Sequence, residues 1–298
     1  MDRRQFNLGL LGLGAASTLP LGLAACATGA TGEKRSVTGI DTHAHVFHRG
    51  LPFVPNRRYT PDYDALPADY LRMLDSNGMS HGVIVPISIL GTNNDYTLEV
   101  IRQSGGRVRG LAVIDPAKDI GKLDALNAGG IVGIRLNLIG KPVDDMKSSV
   151  WRELVATCRR LDWQIEVYDD ASRLAQTVTP LIDQGAKVVV DHFGKPDVGQ
   201  GISDPGFKYL LGVAATRQVW VKLSAPYRSS DAIAADAAPL LLKAFGPERL
   251  VWGSDWPHTA FEGKVSHRTL RAQLDGWVPD AEARRIILTE TPAKLFRF

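Results

Sequence analysis

The sequence predicts an α/β fold, a single (β/α)8 TIM barrel of parallel strands. Three observations predict it. Eight short apolar runs, rich in β-branched residues, alternate with helical stretches along the 298 residues. Such runs suit strands covered on both faces, as parallel sheets require. No Gly-x-Gly-x-x-Gly follows the first run, which weakens an open dinucleotide-binding sheet.

In order, the runs are Val37–Asp41, Gly82–Pro86, Val108–Val113, Ile131–Arg135, Gln164–Tyr168, Lys187–Asp191, Val219–Leu223 and Leu250–Gly253. A helix near Ala68–Asn77 precedes the second run, with Gly78 placed to stop it. Another, near Ser149–Leu161, precedes the fifth. The longest loop-like stretch is Phe47–Pro67, with prolines at 52, 55, 61 and 67. A long loop after the first strand belongs to the catalytic face and has the makings of a lid.

The first residues do not belong to the barrel. Arg3-Arg4-Gln5-Phe6 precedes an apolar, small-residue stretch from Leu8 to Ala25. A basic start, an apolar middle and small residues before a cut site make an export signal, and paired arginines suggest the twin-arginine route. Glycines and Pro20 break the apolar part, which argues against a spanning helix. Leu23-Ala24-Ala25-Cys26 resembles a lipobox, in which Cys26 carries lipid; cleavage by an ordinary signal peptidase is the alternative. Residues 1–25 are therefore expected to be the signal, 26–36 a polar tether, and 37–298 the barrel. The protein is expected to be exported and periplasmic, and lipid-anchored if Cys26 is modified. The remaining cysteine, Cys158, lies on a helical stretch as a small core residue, so no internal disulfide is available. A net charge of +3 with no basic stripe offers nothing to nucleic acid.

In such a barrel the carboxyl ends of the strands carry the chemistry. The first ends in Asp41-Thr42-His43-Ala44-His45, where a two-residue spacing sets both histidines on one side of an extended chain. The fourth ends at Arg135, the fifth at Tyr168 and the sixth at Asp191-His192. Ser224-Ala225-Pro226-Tyr227-Arg228 follows the seventh; Ser254-Asp255-Trp256-Pro257-His258 follows the eighth. Taken singly, each has a bland role: a hydrogen-bonding histidine, a capping aspartate, a packed tyrosine. Their recurrence at one face lifts them together. His48, His81 and His267 lack this placement and are expected at the surface or in loops.

The Asp-Thr-His-Ala-His start, the strand-six histidine and the Trp-Gly-Ser-Asp-Trp-Pro-His end resemble the amidohydrolase superfamily. Asp191–Pro196, Lys222–Arg228, Leu250–His258 and Thr291–Phe296 are similar to its branch containing 2-pyrone-4,6-dicarboxylate lactonases. Thr291 stands where many relatives have Asn. The resemblance implies a hydrolase that opens a small carboxylated lactone. It implies Asp255 as the base on water, His43, His45 and His192 as oxyanion stabilisers, and Arg135, Tyr168 and Arg228 as carboxylate contacts. Lys141 falls where the branch carries a second arginine; lysine keeps the charge but loses the bidentate fork.

Binuclear superfamily members bind metal where this chain has Arg135 and Tyr168, and arginine cannot be a ligand. No cofactor is therefore expected. The alternative is one zinc on His43, His45, His192 and Asp255, in a mononuclear metal-dependent amidohydrolase or decarboxylase. A third reading is a lipid-anchored protein that binds an anion without reacting it.

Overall fold

The structure, a computed structural model, describes residues 35–298. The expected signal 1–25, Cys26 and the tether as far as residue 34 lie outside the described residues. Among the described residues, no helix is long and apolar enough to cross a membrane.

Eight strands pair in sequence order, all in parallel. They are β1 (Ile40–Ala44), β2 (His81–Ile84), β3 (Val108–Ala112), β4 (Ile131–Asn137), β5 (Gln164–Tyr168), β6 (Lys187–Val190), β7 (Val219–Ser224) and β8 (Leu250–Gly253). Helices lie between them, so the expected (β/α)8 barrel is the observed architecture. Contacts of β1 with β8 close the ring. Asp255 N donates to His43 O at 2.8 Å and His45 N to Trp256 O at 2.7 Å. Ser254 adds its N–H and hydroxyl to the buried Asp41 carboxylate at 2.8 and 2.6 Å.

β1 starts later than its apolar residues suggest. Thr38 N donates to Ser80 Oγ and Thr38 Oγ1 to Gly78 O, so this stretch is tied to a side chain and a turn. The strand runs instead through Asp41, Thr42 and His43, all fully buried. β4 likewise continues two residues past Arg135. The helix Pro67–Ser76 opens on proline and ends before Gly78, whose φ of +69° suits a residue without Cβ. The helix Ser149–Arg160 is capped by Ser148 and buries Trp151, Leu154, Val155 and Cys158. Burial pushes the Cys158 thiol up to about 12, consistent with an inert core residue.

Two apolar layers hold the barrel. Inside it, Ile40, Val83, Leu111, Val132, Val189 and Val251 pack against Leu295 and Phe296 of the C-terminal segment. Outside it, Ile134, Ile165, Val167, Val188, Val190, Val221 and Leu223 pack against the helices. The apolar plug confines polar side chains to the other end of the barrel.

Two of the three histidines expected at the surface or in loops are instead buried in regular elements. His81 opens β2, 4% exposed, with Nδ1 2.8 Å from Ser80 Oγ and its ring 4.9 Å from that of Phe298. His267 is 7% exposed and packs edge-on against Trp252 at 5.5 Å. Only the folded chain brings Phe298 and Trp252 to them. His48 does lie in the loop after β1, half-buried against Tyr96.

Candidate active site

The polar strand ends meet at one face, and the backbone there is unusual. His192, Phe193, Ala225, Asp255 and His258 all have positive φ, between 45° and 68°. Side-chain-bearing residues avoid this region, and clusters of such strain mark functional sites. Trp256-Pro257 is cis.

The floor of the site is a buried charge cluster. Glu166 on β5, Lys222 on β7 and Asp191 after β6 are 0–1% exposed. Lys222 Nζ donates to Glu166 Oε2, and lies 3.4 Å from Asp191 Oδ1 and 3.0 Å from His43 Nδ1. Arg135 sits 3.7 Å from Glu166 and 3.5 Å from Asp191, and donates to Pro86 O at 3.2 Å. Burial and Asp191 push the Glu166 carboxyl up to about 8. Burial also opposes ionisation of Asp191, but Lys222 and His43 outweigh it and hold Asp191 well below the usual range.

Above the floor stand Asp255 and three histidines. Asp255 is fully buried. Its Oδ2 accepts from Arg228 Nε and Nη2 at 2.8 and 2.5 Å and from Tyr227 Oη at 2.7 Å. Its Oδ1 lies 3.1 Å from His45 Nε2 and 3.6 Å from His43 Nε2. Burial alone would raise its pKa, but Arg228 and the His45 bond dominate and hold it well below the usual carboxylate range. His45 Nδ1 lies 2.7 Å from Val85 O; a carbonyl only accepts, so Nδ1 carries a proton. Burial, and then Lys222, hold His43 well below its ordinary pKa; burial lowers His192 to about 3. Both rings are neutral at neutral pH. His192 Nδ1 meets Ser224 Oγ at 2.8 Å. The Nε2 atoms of His43 and His192 have no protein partner, and the two ring centroids are 4.8 Å apart.

A cavity of about 270 Å³ opens over this group, lined among others by His45, Arg58, Tyr59, Arg135, Tyr168 and Arg228. Tyr168 forms a shared wall, its ring 5.5 Å from the Arg135 guanidinium, 5.9 Å from that of Arg228 and 5.0 Å from His192. The loop after β1 is pinned at its base by paired hydrogen bonds between Phe47 and Ala65, both 2.9 Å. It thereby carries Arg58 and Tyr59 to the mouth.

Seven of the eight residues singled out from sequence thus gather here. Lys141 does not line the cavity; it is exposed on the turn after β4. Partial loss of solvent around its ammonium lowers its pKa, and nearby Arg58 and Arg135 lower it further. Sequence reasoning missed Glu166, Lys222, Tyr227 and Arg58. Glu166 and Lys222 left a signal: a charged residue inside an otherwise apolar strand has to be paired if the strand is buried. Arg58 left none, since its loop has no period.

Two sets of metal-capable atoms come close together: His43, Asp191 and His192, and His43, His45 and Asp255, each within 4.8 Å. Both sets include His43.

Residues 40–298 match the amidohydrolase family. The chain is 29% identical over 273 residues to a 2-pyrone-4,6-dicarboxylate hydrolase of Comamonas testosteroni, covering 86% of this chain and 89% of that protein. It is 28% identical over 266 residues to a 4-sulfomuconolactone hydrolase of Hydrogenophaga intermedia, covering 86% and 88%. A crystal structure of a probable 2-pyrone-4,6-dicarboxylic acid hydrolase of Acinetobacter baumannii with citric acid bound superposes with a TM-score of 0.84 at 35% identity, covering 87% of this chain and 99% of that one. With the family matched along the whole described barrel and the strand-end residues assembled in one pocket, this chain belongs to the amidohydrolase family.

Proposed function

We infer that the protein hydrolyses a small anionic lactone by a metal-independent route. The observation that carries this is a buried, ionised Asp255 with two unpartnered histidine nitrogens, those of His43 and His192, in the same polar group, beside a cavity lined by Arg58, Arg135 and Arg228. The lactone hydrolases among its relatives support the substrate class.

A water beside Asp255 Oδ1 gives up a proton to the carboxylate and attacks the lactone carbonyl carbon. The carbonyl oxygen becomes an oxyanion, which His43 and His192 Nε2 are placed to stabilise. The ring C–O bond then breaks, and Asp255 returns its proton to the leaving oxygen. A strongly held carboxylate is a weak base. Arg228, however, both holds Asp255 and lines the cavity, so a substrate carboxylate that engages Arg228 loosens that hold and makes Asp255 more basic. Arg135 and Tyr168 take the same anionic end, and Arg58 at the mouth suits a second anionic group.

The residues do not fit a divalent ion. Both metal-capable sets need a lone pair from His43, and an ammonium, Lys222, lies 3.0 Å behind that ring. Two guanidinium groups add positive charge to the same space, and Asp255 Oδ2 already has three donors. Steady-state hydrolysis of 2-pyrone-4,6-dicarboxylate and sulfonated or carboxylated muconolactones, before and after exhaustive chelation, tests this. Unchanged turnover is expected; activity lost to chelator and restored by zinc rejects the metal-free route. We also propose export through residues 1–25 and attachment at Cys26.

A further inference from the structure

Lys222 is fully buried on the Nδ1 side of His43 and does not line the cavity. Its neighbours nevertheless decide what His43 can do. Lys222, hydrogen-bonded to Glu166 and set against the Asp191 carboxylate, offers three N–H donors and no lone pair. Its three nearest polar atoms are Glu166 Oε2, His43 Nδ1 at 3.0 Å and Asp191 Oδ1 at 3.4 Å. All three donors are used only if Nδ1 is a bare acceptor. A hydrogen on Nδ1 would point at ammonium hydrogens. The ring proton therefore belongs on Nε2, which lies 3.6 Å from Asp255 Oδ1 and has no protein partner.

We propose that Lys222 is a positioning residue that fixes His43 in its Nε2–H tautomer, making it a hydrogen-bond donor to the reacting oxygen rather than a lone-pair ligand. The backbone that carries the ring is closely packed. A Cβ on Gly253 would meet His43 Cβ at 2.6 Å and its backbone N at 3.0 Å, so β8 runs directly behind it. Without Lys222 the preference inverts. Asp191 Oδ1, 3.4 Å from Nδ1, becomes the nearest partner, and a carboxylate draws the proton to Nδ1. Nε2 then presents a lone pair to the developing oxyanion, which repels where it should donate.

The role assigned to the donor rests on the lactone-hydrolysis mechanism above, whereas the tautomer does not, and the experiment separates them. Nitrogen-15-labelled histidine is incorporated into the full chain, and the His43 ring signals are identified by their loss in His43→Gln. A one-bond N–H coupling at Nε2 and a bare Nδ1 are expected in the wild type. A proton on Nδ1, or uptake of one zinc with loss of the Nε2 proton, overturns the proposal. In the double variant Lys222→Met, Glu166→Gln, the proton is expected to move to Nδ1. Loss of an oxyanion donor then lowers kcat on the order of 100-fold, with KM within about twofold. A double variant that keeps its proton on Nε2 also overturns the proposal. If that variant fails to fold, the wild-type spectrum still decides. Failure to hydrolyse any lactone would reject the mechanism and leave the tautomer standing.

Discussion

Asp255→Asn separates the chemistry from the scaffold better than any other single change. The asparagine carbonyl can keep the Arg228 and Tyr227 hydrogen bonds at the Oδ2 position. Its amide can donate to His45 Nε2, at the 3.1 Å position of Oδ1, with the Nδ1 proton kept against Val85 O. Each polar partner therefore remains satisfied. What changes is the charge: two guanidinium bonds to a carboxylate become bonds to a neutral oxygen. At about 1 kcal/mol lost per bond, and with little solvent at a pair whose side chains are 16% and 0% exposed, the cost is about 2 kcal/mol. For a domain of this size that is a fall in Tm of about 4–8 °C. The kinetic loss is larger. A general base contributes about 10²–10⁴-fold, or about 3–5 kcal/mol of barrier at 1.36 kcal/mol per tenfold. The assay is steady-state hydrolysis by a variant whose fold is checked by thermal unfolding. Mass spectrometry checks that the introduced amide has not deamidated back to the carboxylate. A folded variant with kcat within tenfold of wild type would refute Asp255 as the base.

Arg58→Ala is expected to raise KM for a doubly anionic lactone about tenfold, the value of one charge-assisted hydrogen bond of about 1.4 kcal/mol. Lys141→Ala, altering a side chain outside the cavity, is expected to raise it less than about threefold; the opposite order in KM would show that the mouth is misassigned. Stability should also depend on His192. Its folded pKa of about 3 lies below the 6.5 of an unperturbed histidine, so the unfolded chain takes up its proton first and stability falls as pH drops from 6.5 toward 3. The bound on this loss is about 5 kcal/mol at 1.36 kcal/mol per pH unit. His192→Gln should therefore lose less stability over that window, measured as Tm against pH at constant ionic strength; parallel curves would remove burial as the cause.

Much of the fold was legible because the determinants are local. Runs such as Ile131–Ile134 and Val188–Val190 are apolar on both faces, which suits strands covered inside and out. Gly78 and Ser148 mark helix ends by their own backbone or side-chain chemistry. β1 was misplaced because its strand is polar: Asp41 and His43 are buried only because Ser254, 213 residues from Asp41, comes to meet them. Packing against Phe298 and Trp252 likewise hid the burial of His81 and His267.

For the site, the order of residues along each strand was enough to say which side chains reach the catalytic face. Strand position sets the face a residue occupies, and His43, His45, Arg135, Tyr168, His192 and Asp255 needed no more than that. What each of them can do depends on the assembled barrel. Donor and acceptor roles, ionisation and access come from neighbours far apart in the chain. Lys222 behind His43 spans 179 residues, and Arg228 on Asp255 brings the end of β7 to the end of β8. The replacement of Lys141 by Arg58 at the cavity mouth likewise depends on where an aperiodic loop comes to rest. A hydrogen bond is decided over a few tenths of an ångström, and no spacing in the sequence carries that information.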